Sequence, residues 1–265
     1  MKRILSVQDL SCLGKCSTTV TLPVLSAMGH ACSVLPTALL SAHTGFPEPY
    51  VRDLSAEADA IVRHWEKIGA AFDAILIGYL AGSGQFDAAN RVLDAFPAQT
   101  VLDPAMADGG RLYRGVDEAQ IGQYRRLCRR ANILLPNTTE AAFLTDMPYL
   151  PGGCSDDYAP CLDALRTFGA ETVLITGAAA NGCAGYVGWD QSAGYFSREV
   201  PRRPGAYHGT GDLFTAVFTG YLLSGLSAPE AASRALDFVC AVLDRASAPT
   251  PFGLDFEPLL GTLLP

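Results

Sequence analysis

Short apolar segments alternate with amphipathic segments along almost the whole chain, and this alternation constrains the fold more than any other feature. Residues 4–7, 74–78, 100–102 and 172–176 have the apolar character of buried strands. The segments between them repeat apolar residues at helical spacing. Strands separated by helices indicate βαβ units, in which a helix connects two parallel strands. The chain is therefore predicted to be an α/β protein, a three-layer α/β/α sandwich around a central, mostly parallel sheet.

The predicted elements cover the chain without a clear break. Residues 182–189 and 194–200 predict a two-stranded meander, and Pro36 predicts an irregularity or an edge in its strand. No linker, internal repeat or low-complexity segment interrupts the pattern, so residues 1–265 are predicted to form a single domain. Further strands are predicted at residues 32–40 and 132–135, and helices at 17–28, 56–68, 84–95, 118–130, 138–144, 158–168, 212–224 and 229–245.

The composition argues against several classes of partner. With 49% hydrophobic and 17% charged residues, the chain can form a large core and is not expected to be disordered. A net charge of −8 argues against nucleic acid or an anionic membrane as a partner. No apolar run approaches the roughly 18 residues that a membrane-spanning helix needs. Eight scattered cysteines without C-x-x-C spacing, and a start without a signal-peptide pattern, predict a cytoplasmic protein with reduced thiols.

The segment His-Gly-Thr-Gly-Asp at residues 208–212 precedes an apolar run with helical spacing. Glycines before a helix let several N–H groups point the same way, and the first N–H groups of a helix have no partner within it. Such a segment can hold an anion, typically a phosphate. Asp212 suits a general base that takes a proton from an attacking hydroxyl while the amides hold the developing charge. The alternative is an acid that only caps the helix beside a tight turn.

Polar side chains follow three neighbouring predicted strands. Asp103 and Asp108 follow one strand, Asn137 and Glu140 follow the next, and Thr176 ends a third. Ligands of parallel sheets gather at the carboxyl ends of the strands, and oxygen donors spread over those ends suit Mg²⁺ between carboxylates and phosphates. Each residue also has a simpler explanation: a turn at Asp103, a capping box of Asn137 and Glu140, and a strand-end hydroxyl at Thr176. Together they predict a phosphoryl-transfer site.

Several segments resemble, in order, the motifs of one enzyme family. HGTGDLFTA at residues 208–216 resembles the anion-hole motif of the ribokinase-like kinases. LDPAMADGGRLY at 102–113 and LLPNTTEAAFL at 134–144 resemble the D-P-v-m-g-d and t-P-N-x-x-E-a-e-x-L motifs of the pyridoxal (vitamin B6) kinases. SAHTGF at 41–46, GYL at 78–80 and ILSVQ at 4–8 resemble further motifs of that family. The resemblance runs from about residue 4 to residue 225, nearly the whole chain.

The resemblance implies an ATP-dependent kinase that phosphorylates the hydroxymethyl group of a B6 vitamer (pyridoxal, pyridoxine or pyridoxamine) to give the 5′-phosphate and ADP. It also implies a ribokinase-like fold without a large lid, Mg²⁺ with ATP, a monovalent cation such as K⁺, and a homodimer. The resemblance implies that Asp212 is the base and that Gly209, Thr210 and Gly211 form the anion hole. It implies that Glu140, Asn137 and Asp108 lie near the metal, and that the nucleotide contacts Asp103, Asn137, Thr176 and Thr210. The implied substrate-binding residues are Asp9, Thr44 and Tyr79.

The chain departs from the family pattern on the substrate side. Asp9 stands where the family has a neutral serine, Ala42 replaces an asparagine, and Phe46 replaces a tyrosine. A buried carboxylate needs a donor or a positive charge, so we expect Asp9 to favour amine-bearing substrates over the aldehyde of pyridoxal. The alternative is that Asp9 holds the loop of residues 11–15 or caps the helix near Ser17.

Two other functions stay open at this point. A hydroxymethylpyrimidine would fit the same type of site, so the chain could be a hydroxymethylpyrimidine kinase on the same fold. A protein that only binds or senses a B6 vitamer could also use this fold. The retention of Asp212, Asn137 and Glu140 favours a kinase, because a binding protein needs neither a base nor a metal.

Overall fold

A nine-stranded β-sheet lies at the centre of the protein, in the order β11-β10-β9-β8-β5-β4-β1-β2-β3. The computed structural model describes residues 1–178, 182–203, 205, 207–246, 248 and 250–264. The strands are β1 (Arg3–Ser11), β2 (Ala31–Leu40), β3 (Val51–Asp53), β4 (Ala74–Ile77), β5 (Gln99–Leu102), β6 (Ala107–Asp108), β7 (Arg111–Leu112), β8 (Ile133–Leu134), β9 (Thr172–Ala178), β10 (Cys183–Asp190) and β11 (Gly194–Pro201).

The six strands at the centre of the sheet are parallel, and antiparallel strands lie at both ends. β1 pairs in parallel with β2 and β4, and the parallel pairing continues through β5, β8 and β9. β3 pairs antiparallel with β2 at one end, and β10 and β11 form an antiparallel meander at the other. The predicted mostly parallel sheet and the predicted meander are both confirmed.

Helices cover both faces of the sheet. They are α1 (Thr18–Ala27), α2 (Ser55–Lys67), α3 (Ser83–Ala95), α4 (Glu118–Cys128), α5 (Thr138–Thr145), α6 (Ala159–Arg166), α7 (Thr210–Leu223) and α8 (Ala228–Arg245), with short 3-10 helices at Ser155–Tyr158 and Glu257–Leu263. One core contains side chains of α2 to α6, and a second core contains side chains of α1, α7 and α8. This arrangement is the predicted three-layer sandwich. None of the described helices has the length and apolarity that crossing a membrane requires.

The central strands are apolar on both sides because each side faces a layer of helices. Ile75 and Ile77 of β4 enter one core, and Leu76 between them enters the other. Successive side chains of a strand point to opposite faces, which explains the continuous apolar run that identified this segment in the sequence. All four residues of β4 are buried. Burying each isoleucine or leucine contributes about 1.5–3 kcal/mol.

Some features were predicted only in part. Pro36 lies opposite Gln8, and the register between β1 and β2 shifts beside it, which confirms the predicted irregularity. The predictions missed β3, whose three residues are all exposed, and the hairpin of β6 and β7. Gly109 and Gly110 connect that hairpin with φ angles of 57° and 78°, a left-handed conformation that glycine adopts without strain.

Candidate active site

Two cavities open at the carboxyl ends of the parallel strands and share one wall. The larger has a volume of about 380 Å³ and the smaller about 230 Å³. Asp108, Tyr113, Gly209 and Asp212 line both. Every site residue predicted from the sequence lines at least one of them. The larger cavity also contains Asp103, Asn137, Glu140, Thr176, Thr210 and Gly211, and the smaller contains Asp9, Thr44 and Tyr79.

The start of α7 forms the shared wall. The helix begins at Thr210, and Gly209 precedes it with φ 82°. A Cβ atom at Gly209 would lie 2.4 Å from the carbonyl oxygen of Lys15, so the position needs glycine for space as well as for conformation. The first amide with a partner inside the helix is that of Leu213, which donates to the carbonyl of Gly209 at 3.0 Å. The preceding amides are those that helix geometry leaves for an anion.

Asp212 is the third residue of α7 and has the basicity of a proton acceptor near neutral pH. Burial, together with the negative charges of Asp103 and Asp9, raises the pKa of its carboxyl group to about 7. The backbone N–H of Ser17 offsets part of this shift. A pKa close to the working pH is the most effective value for a general base, because the group is both available and basic.

Asn137 and Glu140 form the capping box that the sequence offered as an alternative. The Asn137 side-chain oxygen accepts hydrogen bonds from the N–H groups of Thr139 (2.8 Å) and Glu140 (3.0 Å). In return, the Glu140 carboxylate accepts from the N–H of Asn137 at 2.8 Å and from that of Met106 at 3.1 Å. The box therefore starts α5 and also fixes the segment after β5. It holds both side chains at the larger cavity, where Glu140 Oε2, which accepts from the N–H of Asn137, keeps a further lone pair, whereas both lone pairs of the Asn137 oxygen are used within the box.

Four carboxylates line the larger cavity, together with the arginines Arg202 and Arg203. Glu140 is 2% exposed, and its burial together with the neighbouring Asp103 raises its pKa well above the usual value. Burial also raises the pKa of Asp103 to about 6, although the Thr215 hydroxyl donates to it at 2.7 Å. Asp108 is exposed at the cavity mouth and accepts from the N–H of Gly109 at 2.7 Å.

These oxygen donors fit Mg²⁺. A magnesium ion commonly binds one or two carboxylates and completes its shell with water and substrate phosphates. Among the described residues, no group of three or more His, Cys, Asp or Glu side chains has the arrangement of a complete protein-only metal site. Mg²⁺ would stabilise the accumulated carboxylate charge of the cavity.

The smaller cavity contains a buried acid. Asp9 is 2% exposed and accepts a hydrogen bond from the Ser11 hydroxyl at 2.8 Å. The hydrogen bond to Ser11 is the contact expected if Asp9 holds the loop of residues 11–15, the alternative role that the sequence left open. Burial, together with the charge of Asp9, raises the pKa of the nearby Tyr79 hydroxyl to about 12.

Sequence reasoning missed several residues of the site. Tyr113 lines both cavities, and Arg114 lines the smaller one; both follow the hairpin of β6 and β7. Burial and the surrounding carboxylates, Glu140 foremost, raise the pKa of the Tyr113 hydroxyl. The adjacent glycines at 109 and 110 were the available signal, because two such residues favour a tight hairpin turn. His208 lines both cavities, with its ring 5.0 Å from that of His43.

Comparison with known proteins identifies the family. The model of the phosphomethylpyrimidine kinase family matches residues 27–253 of this chain. The chain belongs to the phosphomethylpyrimidine kinase family. Among the relatives of this kinase, the pyridoxine/pyridoxal/pyridoxamine kinase of Bordetella avium is 30% identical in an alignment that covers 88% of this chain and 82% of that protein.

Solved structures place the kinase with the pyridoxal kinases of the ribokinase-like superfamily. A pyridoxal kinase from Lactobacillus plantarum has a TM-score of 0.90 and 32% sequence identity, over 99% of this chain and 96% of its own. A Bacteroides thetaiotaomicron protein, provisionally assigned as a phosphomethylpyrimidine kinase and crystallised with pyridoxal, has a TM-score of 0.94 and 33% identity, over 99% and 95% of the two chains. These similarities confirm the family and the fold that the sequence motifs implied.

Proposed function

We propose that this kinase transfers the γ-phosphoryl group of ATP to the hydroxymethyl group of a B6 vitamer: pyridoxal, pyridoxine or pyridoxamine. The observation that supports this most directly is the wall shared by the two cavities. ATP in the larger cavity would direct its phosphates toward the α7 amides at Gly209, Thr210 and Gly211. A vitamer in the smaller cavity would bring its hydroxymethyl oxygen to Asp212 from the other side.

The linings of the two cavities support this division. The larger cavity combines the phosphate-binding groups with an apolar wall suited to a flat purine ring. Thr176 lies on the same side, beside Asn137, with which it forms an isolated parallel bridge. The smaller cavity is lined by Thr44 and Tyr79, which suit a hydroxylated heteroaromatic ring. The apolar wall of the larger cavity consists of Val200, Phe214, Leu236, Val239 and Leu243.

In the proposed reaction Asp212 accepts the proton of the hydroxymethyl group as its oxygen attacks the γ-phosphorus of ATP. A new O–P bond forms, the bond between the γ-phosphorus and the bridging oxygen breaks, and ADP leaves with that electron pair. The amides at the start of α7 would hold the negative charge that develops on the transferred phosphoryl oxygens. The proton then passes from Asp212 to solvent, which restores the base.

Mg²⁺ would be held with ATP by Glu140, Asn137 and Asp108, with Asp103 close to the phosphates. Its charge would neutralise the phosphates and the carboxylates around them. The resemblance also leads us to propose a requirement for a monovalent cation such as K⁺, a homodimer and a cytoplasmic location. The eight cysteines, all of which are described, are free thiols, and this supports the reducing compartment.

A hydroxymethylpyrimidine kinase is the second candidate function. The family that matches this chain is named for phosphomethylpyrimidine kinases, and an aminopyrimidine could donate to Asp9. A binding protein without catalysis is less well supported, since the chain positions a base with a pKa of about 7 beside a phosphate-binding helix start.

ADP release with Mg²⁺, ATP and a substrate panel tests the proposal. The panel consists of the three vitamers and 4-amino-5-hydroxymethyl-2-methylpyrimidine, each assayed with KCl or NaCl. We expect a vitamer to release ADP and to yield its 5′-phosphate. If only the pyrimidine reacts, the second candidate replaces the first. If no substrate reacts while a vitamer binds, the protein is a binding protein.

A further inference from the structure

The smaller cavity contains more negative than positive charge. Asp9, Asp108 and Asp212 line it. Among its described lining residues, Arg114 is the one side chain with a permanent positive charge, and it lies in the exposed segment after β7. Lys15 is not among the lining residues, and its ammonium group pairs with Asp255 at 2.6 Å and Glu257 at 2.8 Å. A neutral or anionic ligand would leave this excess uncompensated.

His43 does not compensate Asp9, because its hydrogen bonds fix the neutral ring. The N–H of Gly45 donates to the His43 Nδ1 at 3.1 Å, so this nitrogen carries no proton. The other nitrogen, Nε2, then carries the proton and lies 2.7 Å from the carbonyl oxygen of Pro251, to which it donates. Burial lowers the pKa of this histidine and further favours the neutral form. Both ring nitrogens are therefore occupied by backbone groups.

The hydrogen-bond partners of Asp9 are two hydroxyl groups and its own backbone N–H. Ser11 donates to it at 2.8 Å, and the Ser17 hydroxyl also interacts with the carboxylate. Cys16 and Tyr79 lie near it, and the Asp9 charge raises the pKa of each of them. Neutral hydroxyl groups offset only part of the cost of burying a carboxylate that is 2% exposed. The Asp9 side chain therefore lies on the ligand side of the cavity without a cationic partner from the described residues.

We propose that Asp9 is a specificity-determining residue that binds a protonated nitrogen of the substrate, either on the ring or on an amine substituent. This inference rests on the proposed function and names the form of substrate that the site selects. A charge-assisted N–H hydrogen bond to the buried carboxylate supplies the positive charge that the cavity lacks. The aminomethyl group of pyridoxamine and the ring nitrogen shared by all vitamers are the two sources of such a proton.

Equilibrium binding of pyridoxamine and of pyridoxine, measured by titration calorimetry at pH 7.5 without ATP, distinguishes the two sources. Wild type is compared with Asp9→Asn, which keeps the side-chain shape, and with Asp9→Ser, which keeps a smaller polar group. The control is Asp190→Asn. Asp190 also accepts from a hydroxyl, that of Thr172 at 2.7 Å, but it lies at the opposite edge of the sheet. Melting temperatures show which variants are folded.

We expect the Asp9 variants to weaken pyridoxamine binding about tenfold to a hundredfold, the usual range for a hydrogen bond to a charged group. Loss for pyridoxamine alone assigns the contact to the aminomethyl group, and equal loss for both ligands assigns it to the ring nitrogen. Unchanged affinity for both ligands in a folded Asp9 variant would overturn the inference, as would an equal loss in Asp190→Asn.

Failure of the proposed kinase function can be distinguished from failure of the Asp9 inference. If wild type binds the vitamers but releases no ADP with Mg²⁺ and ATP, the kinase proposal fails while the Asp9 assignment still stands or falls by the binding data. If wild type binds no vitamer, both proposals are overturned. If it phosphorylates vitamers and the Asp9 variants bind them as well as wild type, only the Asp9 inference is overturned.

Discussion

At the scale of single residues, the proposed mechanism depends most on Asp212. We expect Asp212→Asn to bind ATP and vitamer normally but to lower kcat by roughly 10²–10⁴, the usual contribution of a general base. Asparagine has the same shape and still suits the third position of α7, so the helix start should remain intact. Steady-state kinetics and nucleotide titration of the purified variant measure both quantities.

A variant with near-normal kcat would remove Asp212 from the mechanism and leave only its place at the helix start. A fall in kcat/KM that comes entirely from weaker ATP binding, with kcat unchanged, would also count against a base. An interaction made equally in the ground state and the transition state changes KM and not kcat.

Single residues were predictable where they belong to short contiguous motifs. Asp212 follows two glycines, and Asn137 precedes Glu140 by one helical turn, so local sequence identifies both pairs. Tyr113 was not predictable in this way, because an aromatic residue after a polar turn carries no local sign that it lines a cavity. Its position depends on the fold of β6 and β7 over the ends of other strands.

At the scale of elements, the capping box that starts α5 is also part of the proposed metal site. We expect Glu140→Gln to raise the Mg²⁺ concentration needed for half-maximal rate, because a neutral amide attracts the hydrated ion less well. It should also lower stability, since one oxygen that accepts backbone N–H groups becomes a donor. The magnesium dependence of the initial rate measures the first effect, and thermal melting measures the second.

The chain offers a matched control in the capping box of α8. Glu230 accepts from the N–H of Ser227 at 3.1 Å and lies outside both cavities. Glu230→Gln should lower the melting temperature but leave the magnesium dependence unchanged. If the two variants show the same magnesium dependence as wild type, Glu140 is a capping residue and the metal assignment is wrong.

The hairpin of β6 and β7 carries two glycines that respond differently to an added methyl group. A Cβ at Gly110 would lie 2.8 Å from the Tyr149 ring, whereas one at Gly109 would meet nothing within 4 Å. Both residues have positive φ, so alanine costs about the same backbone strain at either position. Because only the added methyl group of Gly110→Ala meets the Tyr149 ring, this variant should also displace Asp108 and Tyr113 on either side of the turn.

Displacing catalytic groups by about 1 Å can reduce the rate up to about a hundredfold. We expect kcat/KM to fall clearly more in Gly110→Ala than in Gly109→Ala, with similar melting temperatures for the two. Equal kcat/KM values would show that the hairpin does not position the site.

Elements were predictable from the sequence according to their length and burial. The buried strand β4 and the long helices α2, α3 and α8 were found within a residue or two of their ends, because their apolar periodicity is strong. The three exposed residues of β3 and the two-residue strands of the hairpin have no periodicity to read. Their pairing depends on neighbouring strands that are distant in sequence or on a tight turn.

At the scale of the whole molecule, the parallel sheet brings carboxylates from β1, β5, α5 and α7 to one edge. Asp9, Asp103, Glu140 and Asp212 all have raised pKa values, with burial as the largest cause. The sequence predicted this meeting of strand ends, but not the energetic consequence, which depends on burial and on distances across the fold. Burying several ionised acids together lowers the stability of the folded protein.

We therefore expect the ligand-free protein to become less stable as the pH rises from about 4 to about 7. The pKa of Asp212 is about 7 in the folded protein against an ordinary value of 3.8. Between those values the folded state binds more protons than the unfolded state, so stability falls with rising pH until the folded-state pKa is passed.

For this half-buried group the effect is on the order of 1–2 kcal/mol, or about 2–8 °C in melting temperature. Thermal melting across the pH series should show a shallower slope for Asp212→Asn, while Asp190→Asn follows the wild type. Equal slopes of melting temperature against pH for wild type and Asp212→Asn would show that the fold does not raise the pKa of this carboxylate.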